Sequence, residues 1–485
     1  MVSAPAKESA PMLFPSDGKP PYVHLRETTL TFSRPLGGNE LGYVLLRRTR
    51  GYYDSFTIVS LVCSGGHTIT DDEVVQACAA LRLRHPLLAS KVAYSTMEPP
   101  TLVYTSPLTE AHAVREARAQ IEIHAFHDQD ASTETLRDQW LYANPEEALD
   151  LRNGTCSLYW GRDTDSRSGK YILGFMTPHF ITDGRRRLNL VRCMLDLLAT
   201  PGRAAHELAA HFSGKMPIVE IPPAWESLCP DMRTTDPAEL AKAKEAFDEL
   251  VKFRSKPRFV RQIWSTEETK RILKACKAHG VTITHLANIA SAFATVQHPG
   301  AADRNGVPRD EDSYYFEFSQ AIDLSAKVPR LSNNGEMRRP FACRQIGRPG
   351  RDLGCRAPIQ GAERRLREVT LLLALQWFLR CDRFENYMAQ MTGKPFVPYM
   401  SSLGDLKSIL PIRYPVQLPH VNGDVDGSTS HSAEVRILDQ ITSGKIDPQV
   451  SSFLMYTFDE SLNLQFKWNA GRSSYSQVAD DEGTM

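Results

Sequence analysis

Apolar positions fall into two kinds of run along this chain, and the two kinds alternate. "FTIVSLVC" (Phe56–Cys63) is a block of β-branched and apolar residues that predicts a buried strand. "TDDEVVQACAALRLRHPLLASKV" follows with helical spacing. Thr70 stands at the N-cap, Asp71, Asp72 and Glu73 fill the first turn, Val74, Val75, Cys78 and Leu81 form the buried stripe, and Pro86 ends it. "ARAQIEIHAF" predicts another strand, and "TETLRDQWLYANP" a helix stopped at Asn144-Pro145. A third pair comes next. Tyr171, Ile172, Leu173, Phe175 and Met176 predict a buried strand, and Leu188, Val191 and Leu195 mark one face of the helix after it. From about Ser213 to Pro257 the chain turns proline-rich and charged, as a linker does, and then the pattern restarts. Ser265 and Glu268 form a capping box with Gly280 as the stop. "THLANIASAFATVQ" is a second helix, "SYYFEFSQAIDL" a strand, and "VTLLLALQWFLRCDRF" an almost wholly apolar helix. "LNLQFKW" alternates, which predicts a strand covered on the face of Leu462, Leu464, Phe466 and Trp468, and the region Asp303–Gly361 is loop-like. The sum is an α/β (α+β) chain of two lobes, each a mixed sheet flanked by helices. The expected divisions are a disordered head (1–25), a first lobe (26–215), a linker (216–235), a second lobe (236–475) and a disordered tail (476–485).

Composition narrows the partners. A chain of 485 residues is too long for one ordinary core. Lys and Arg (57) balance Asp and Glu (57), so no basic footprint exists for nucleic acid or an anionic membrane, and neither is an expected partner. The nine cysteines (Cys63, Cys78, Cys156, Cys193, Cys229, Cys276, Cys343, Cys355, Cys381) are odd in number and contain no C-x-x-C pair, which fits buried thiols in a reducing compartment. The first residues lack the apolar core of a signal peptide, and no run approaches a membrane span. A cytoplasmic location is expected, with the sequon Asn153-Gly154-Thr155 idle.

The chemistry concentrates in "YILGFMTPHFITDGRRRLNL", where a strand delivers His179, and Asp183-Gly184 follow just before a helix. From ordinary residue usage, H-x-x-x-D would occur in about half of chains this long, and the added glycine lowers that to roughly one in twenty. A histidine held rigidly at a strand end can point into a cleft. As a neutral imidazole it can take a proton from a hydroxyl. A satisfied core histidine followed by an N-capping aspartate fits the same six letters.

Several ordered segments carry a resemblance that decides between these. "HFITDG" resembles the H-x-x-x-D-G signature of the chloramphenicol acetyltransferase-like superfamily, which includes peptide condensation domains and acyl-CoA-dependent acyltransferases. "LRLRHPLLASKV" looks like the R-H-P-x-L segment of condensation-type domains, and "RPLGGNELGYVLLRRTRGYYDSFTIVSLVCSGG" like their opening segment. "WSTEETKRILKACKAHGVTITHLANIASAFA" resembles their second-lobe helix pair. "MSSLGDLKSILP" and "LNLQFKWNAGRSSYS" look like late motifs of the fungal trichothecene and alcohol O-acetyltransferase branch. Two departures favour a standalone O-acyltransferase over a peptide-bond former: Pro178 stands where condensation domains double the histidine, and "SSLGD" lies where plant relatives have D-F-G-W-G.

The resemblance implies two chloramphenicol-acetyltransferase-like lobes with a tunnel between them and His179 as general base. Ser402 is the candidate donor to the oxyanion, with Ser401 equally legible. Asp183 would be structural and paired with an arginine, for which Arg84 is the positional match, and Gly184 would let the chain turn tightly. The implied donor is an acyl-CoA (acetyl-CoA above all) as co-substrate, with no bound cofactor and no metal, and the acceptor is a small-molecule alcohol such as a terpenoid or polyketide. A carrier-protein-bound acyl thioester is the alternative donor, and a non-catalytic binding module of the same fold is the alternative from another class. The chain is expected to act as a monomer.

Two further patterns carry nothing. Asn422, Asp424, Asp426 and Gly427 imitate a calcium loop, but Ala433 holds the position of the bidentate acid. Arg185, Arg186 and Arg187 could meet a coenzyme A phosphate at a helix start, but three consecutive residues cannot share a helix face, so mostly solvated charge is expected there.

Overall fold

The strands predicted at Phe56 and Tyr171 lie side by side. In the computed structural model β2 (Asp54–Cys63) and β7 (Lys170–Pro178) pair antiparallel, with Ile58 opposite Gly174 and Asp54 opposite Pro178. The residues described are 29–47, 51–95, 100–142, 149–224, 256–288, 290, 318–322, 342–346, 399–416, 433–445 and 452–470. Outside them lie the head and tail, most of the linker, the Asn144-Pro145 stop, the apolar helix at 369–384, most of the 303–361 stretch and the 422–427 loop. The side chains of Trp468 and of Cys229, Cys343, Cys355 and Cys381 lie outside them too.

Around β2 and β7 the first lobe supplies α1 (Gly38–Arg47), α2 (Asp71–Arg84), α3 (Glu110–Arg118), β5 (Ile121–Phe126), α4 (Gln129–Tyr142), β6 (Ser157–Asp163), α5 (Gly184–Leu198) and α6 (Arg203–Phe212). A separate three-stranded sheet is made of β1 (Thr31–Pro35), β4 (Thr101–Thr105) and β3 (Lys91–Ala93), in that spatial order. The capping box expected at Thr70 is present, its side chain accepting from the Glu73 amide while Glu73 reaches back. Helices cover both faces of β7, so every residue after Lys170 is buried. Tyr171, Leu173 and Phe175 join the core under α2 and α5, while Ile172 and Met176 face the cluster of α4 with Trp140 and Leu136. Gly174 is glycine because a Cβ there would sit 2.5 Å from the Trp140 ring.

The second half contributes β8 (Lys256–Ile263), α7 (Thr266–Ala278), β9 (Phe318–Ile322), β10 (Ala342–Ile346), β11 (Tyr399–Asp405), β14 (Ser452–Phe458) and β15 (Ser461–Ala470). Its sheet runs β10-β9-β11-β14-β15-β8 and is mixed, with β11 parallel to both β9 and β14. The capping box of Ser265 and Glu268 starts α7 as the spacing predicts.

The boundary drawn at 216–235 is nevertheless crossed. β12 (Arg413–Pro415) and β13 (Glu434–Gly444) belong by number to the second lobe, yet they complete the first lobe's sheet, whose order is β12-β13-β2-β7-β6-β5. β13 pairs with β2 from Val435 opposite Cys63 to Gly444 opposite Ser55. One apolar cluster accordingly joins Leu173, Leu188 and Val191 to Leu403, Leu454 and Tyr456 of the second sheet. Among the described residues no helix is long and apolar enough to cross a membrane.

Candidate active site

His179 is delivered by the end of β7 and fixed by a tight turn. Pro178 closes the strand, and its carbonyl accepts from the amides of Ile181 (3.0 Å) and Thr182 (3.3 Å). Ile181 is buried in the core and anchors the loop. The hydroxyls of Thr177 and Thr182 bond to one another and clip the last residue pair of the strand to the start of α5. The His179 amide donates to the Tyr53 carbonyl at 2.9 Å. Tyr53 holds a left-handed φ of 64° just before β2, a conformation costing a side-chain-bearing residue about 1–2 kcal/mol. A buried ion pair beside it holds that corner: Arg47 donates through Nε to Asp54 Oδ1 (2.5 Å) and through a terminal nitrogen to Oδ2 (2.7 Å). Burial raises the Asp54 carboxyl and Arg47 opposes it. The ring of Tyr43, on α1, lies flat on the imidazole, centroids 5.2 Å apart and planes within 5°.

The electrostatics keep the imidazole neutral. Burial first, and then the positive field of Arg187, pull His179 down to about 4; Asp183 and the ring's bond to its own backbone push the other way, and Lys467 adds to the lowering. An imidazole with a pKa well under 7 stays uncharged near neutral pH and offers an unprotonated ring nitrogen as a proton acceptor.

Asp183 caps α5, accepting from the Arg186 amide at 2.9 Å, and lies 3.6 Å from the Arg186 guanidinium. The expected pairing with Arg84 does not form. Arg84, at the end of α2, binds the Glu207 carboxylate of α6 through Nε at 2.8 Å and through a terminal nitrogen. The physical reason is position: α2 packs against α6, which brings a carboxylate to Arg84 where it stands. Gly184 also has a different reason from the tight turn expected of it. Its φ is ordinary, and a Cβ there would lie 2.9 Å from Leu403 Cδ2, so the glycine permits close approach of α5 to β11.

Leu403 is the extra residue of a β-bulge in β11, between Ser402 opposite Met455 and Gly404 opposite Tyr456, and Gly404 takes the left-handed φ of 77° that a bulge favours. Ser402 therefore sits beside the residue that touches α5's first turn. Its Oγ accepts from the Thr284 hydroxyl at 3.2 Å.

Two functional candidates escape sequence reading. Arg187 belongs to the triplet expected to be solvated, yet it is 2% exposed. It donates to the hydroxyls of Thr57 and Thr182, each at 3.2 Å, and burial lowers it to about 10 against the pull of Asp183. Its position one turn after Asp183 and one turn before Val191, on the apolar stripe, was the available signal. Lys467 lies on β15, whose predicted covered face is corrected by the structure. Leu462 (3%) is buried as expected, but Asn463 (2%), Gln465 (0%) and Lys467 (8%) are buried too, while Leu464 and Phe466 are only partly so. The polar face is inward because it meets β13 across the seam between the two sheets. Lys467 Nζ donates to the Gly444 carbonyl at 2.8 Å, and burial followed by Arg187 lowers it to about 7. Among the described residues no group of His, Cys, Asp and Glu side chains could hold a metal ion.

No family model matches the chain, and no curated protein matches it in sequence. Solved structures match it along nearly its whole length. TRI3 trichothecene 15-O-acetyltransferase from Fusarium sporotrichioides superposes with a TM-score of 0.61 at 17% identity, over 93% of each chain. SgcC5 protein from Streptomyces globisporus gives 0.53 at 12% identity over 93% of this chain and 96% of that one. The first condensation domain of the CDA synthetase gives 0.51 at 12% identity over 93% and 94%. The fold is thus the two-lobe fold of chloramphenicol-acetyltransferase-like and condensation-domain proteins.

Proposed function

We propose that the protein is an acyl-CoA-dependent O-acyltransferase. It moves a short acyl group, acetyl above all, onto a hydroxyl of a small natural product such as a terpenoid or polyketide alcohol. The observation that supports this most is the place of His179: at the end of β7, its amide fixed to Tyr53 and its ring stacked on Tyr43, just before the helix that approaches the β11 bulge, where burial and Arg187 favour the neutral imidazole. In this reading His179 takes the proton of the acceptor hydroxyl as its oxygen attacks the thioester carbonyl. The C–O bond forms, and the carbonyl oxygen carries the negative charge of the tetrahedral intermediate. Ser402 donates to that oxygen, with Ser401 as the alternative donor. Collapse breaks the C–S bond, and the imidazolium returns its proton to the leaving thiolate, giving ester and free CoA. Asp183 and Gly184 act by fixing α5, and with it the loop that carries His179.

The test is purified protein incubated with acetyl-CoA and a panel of alcohols without any carrier protein, with ester product followed by mass spectrometry. Transfer that His179→Ala abolishes is expected. Transfer seen only from a carrier-bound thioester would replace the CoA reading, and product undiminished in a folded His179→Ala protein would end the assignment.

A further inference from the structure

The fold satisfies the inward polar face of β15 only in part. Lys467 is buried with the Gly444 carbonyl as its hydrogen-bond partner, and Arg187 is buried with two threonine hydroxyls as its partners. The carboxylate that influences Arg187 is Asp183, whose oxygens already serve the cap of α5 and the Arg186 side chain. Buried charges in proteins are ordinarily paired or neutralised: with Asp183 committed elsewhere the Arg187 charge is unmatched, and Lys467, lowered to about 7, is poised to take a proton when an anion meets it.

The polar atoms between them are connected. Thr57 Oγ1, which accepts from Arg187, bonds the Thr442 hydroxyl at 2.8 Å, and Thr442 donates to Gln440 Oε1 at 2.9 Å. Gly444, which takes Lys467, lies two residues further along β13, on the same face as Thr442 and Gln440. Gln465 Nε2 donates to the Tyr456 hydroxyl at 2.8 Å, and that hydroxyl donates to the Gln440 carbonyl at 2.9 Å. On the face that meets β15, the donor Gln440 Nε2 and the acceptor Gln465 Oε1 have no hydrogen-bond partner among the described residues, and Ser443 Oγ, between Thr442 and Gly444, has none either. Buried polar atoms are rarely left so unless something else meets them.

We propose that this patch beside His179 is a carboxylate-binding subsite, with Lys467 and Arg187 as its cations, Gln440 as a further donor, and Gln465 as acceptor for a neighbouring hydroxyl. One of the two reacting molecules then carries a carboxylate near its reacting centre. Either the acceptor is a hydroxy acid or the transferred acyl group is a half-thioester of a dicarboxylic acid. The subsite rests on the acyl-transfer reading above for what reacts there, but not for whether it binds.

Two matched pairs separate the sources: malonyl-CoA against acetyl-CoA for the donor, and 3-hydroxybutyrate against 3-hydroxybutyramide for the acceptor. Each is measured by calorimetry and by turnover on the full-length protein, on Lys467→Met and on Lys467→Arg. In one pair the carboxylate member should be preferred at least tenfold by the parent. Lys467→Met should bring that preference close to one, and Lys467→Arg should restore most of it. A parent without carboxylate preference in either pair, or a preference that survives Lys467→Met, overturns the subsite. If no pair is turned over, the alcohol panel above decides the acyl-transfer reading, and the binding preference measured by calorimetry still decides the subsite by the same criterion.

Discussion

Two corners of the molecule each present a histidine next to a proline, and they are built for different ends. His85 follows α2 and precedes Pro86; its amide donates to the Leu81 carbonyl as the cap of that helix, and burial followed by Arg84 lowers it to about 3. Its amide bond and its charged neighbour both come from α2, within the first lobe. His179 follows Pro178 at the end of β7, with a similarly lowered value of about 4. Its surroundings come from α1, α5 and, through Lys467, the second sheet. A depressed histidine is therefore no mark of chemistry by itself. What separates the corners is that one lies within a lobe and the other at the seam where both sheets bring polar groups.

The largest test of that contrast is to delete each ring. A positioned general base contributes on the order of a hundred- to ten-thousand-fold, so His179→Ala should lose that much turnover while keeping its fold by circular dichroism. His85→Ala should keep its turnover and lose stability instead, by roughly 1 kcal/mol in a denaturant melt. Equal losses of turnover in the two variants would erase the distinction.

The pH profile sharpens it. The base is active when neutral, so the acid limb of kcat/KM should fall near 4, well below the roughly 6.5 of an unperturbed histidine. Arg187→Met, which removes a positive neighbour, should move the limb upward. Because the folded pKa is lowered, the unfolded chain binds more protons between about 4 and 6.5, and stability should rise with pH across that window. His179→Ala should flatten part of that rise, and His85→Ala another part that begins nearer 3.

Smaller effects concern the frame. Gly184→Ala pushes a methyl against Leu403; overpacking of this kind costs about 1–3 kcal/mol, and turnover should fall further than stability because the β11 bulge shifts with it. Asp183→Ala removes a cap worth about 0.5–2 kcal/mol, whereas Asp183→Asn keeps an acceptor and should unfold close to the parent. Arg84→Met is the least. Its partly exposed pair with Glu207 should contribute under about 1 kcal/mol, with no change in rate, as chemical denaturation and initial velocities on one preparation would show.

Much of this was legible in the chain. The strand at Tyr171, the helix at Leu188 and both capping boxes followed from local periodicity and side-chain chemistry, which act within a few residues. His179 stood out because a motif and its flanking elements agreed. Arg187 was hidden by its neighbours: three arginines in a row look solvated until helix phase places the third on the apolar stripe. Lys467 was hidden more deeply. In "LNLQFKW" the apolar face is the one that alternation nominates for burial, and only the approach of β13 reverses it. The Arg84–Glu207 pair and the insertion of β13 likewise arise from contacts between segments more than a hundred residues apart, for which local pattern carries no signal.

That insertion also dictates when the molecule can come into being. Thr57 and Thr442 are separated by 385 residues of chain, and β2 has no neighbour on that side until the later one has been made. During synthesis the first half therefore emerges with the open edge of a very apolar strand, a surface prone to pairing with other chains. The nascent protein has to wait, held or shielded, for β13 to emerge before its first sheet can close. Contacts of such long reach also make folding slow. The two halves are thus one folding unit, sealed by a strand translated long after the partner it closes on.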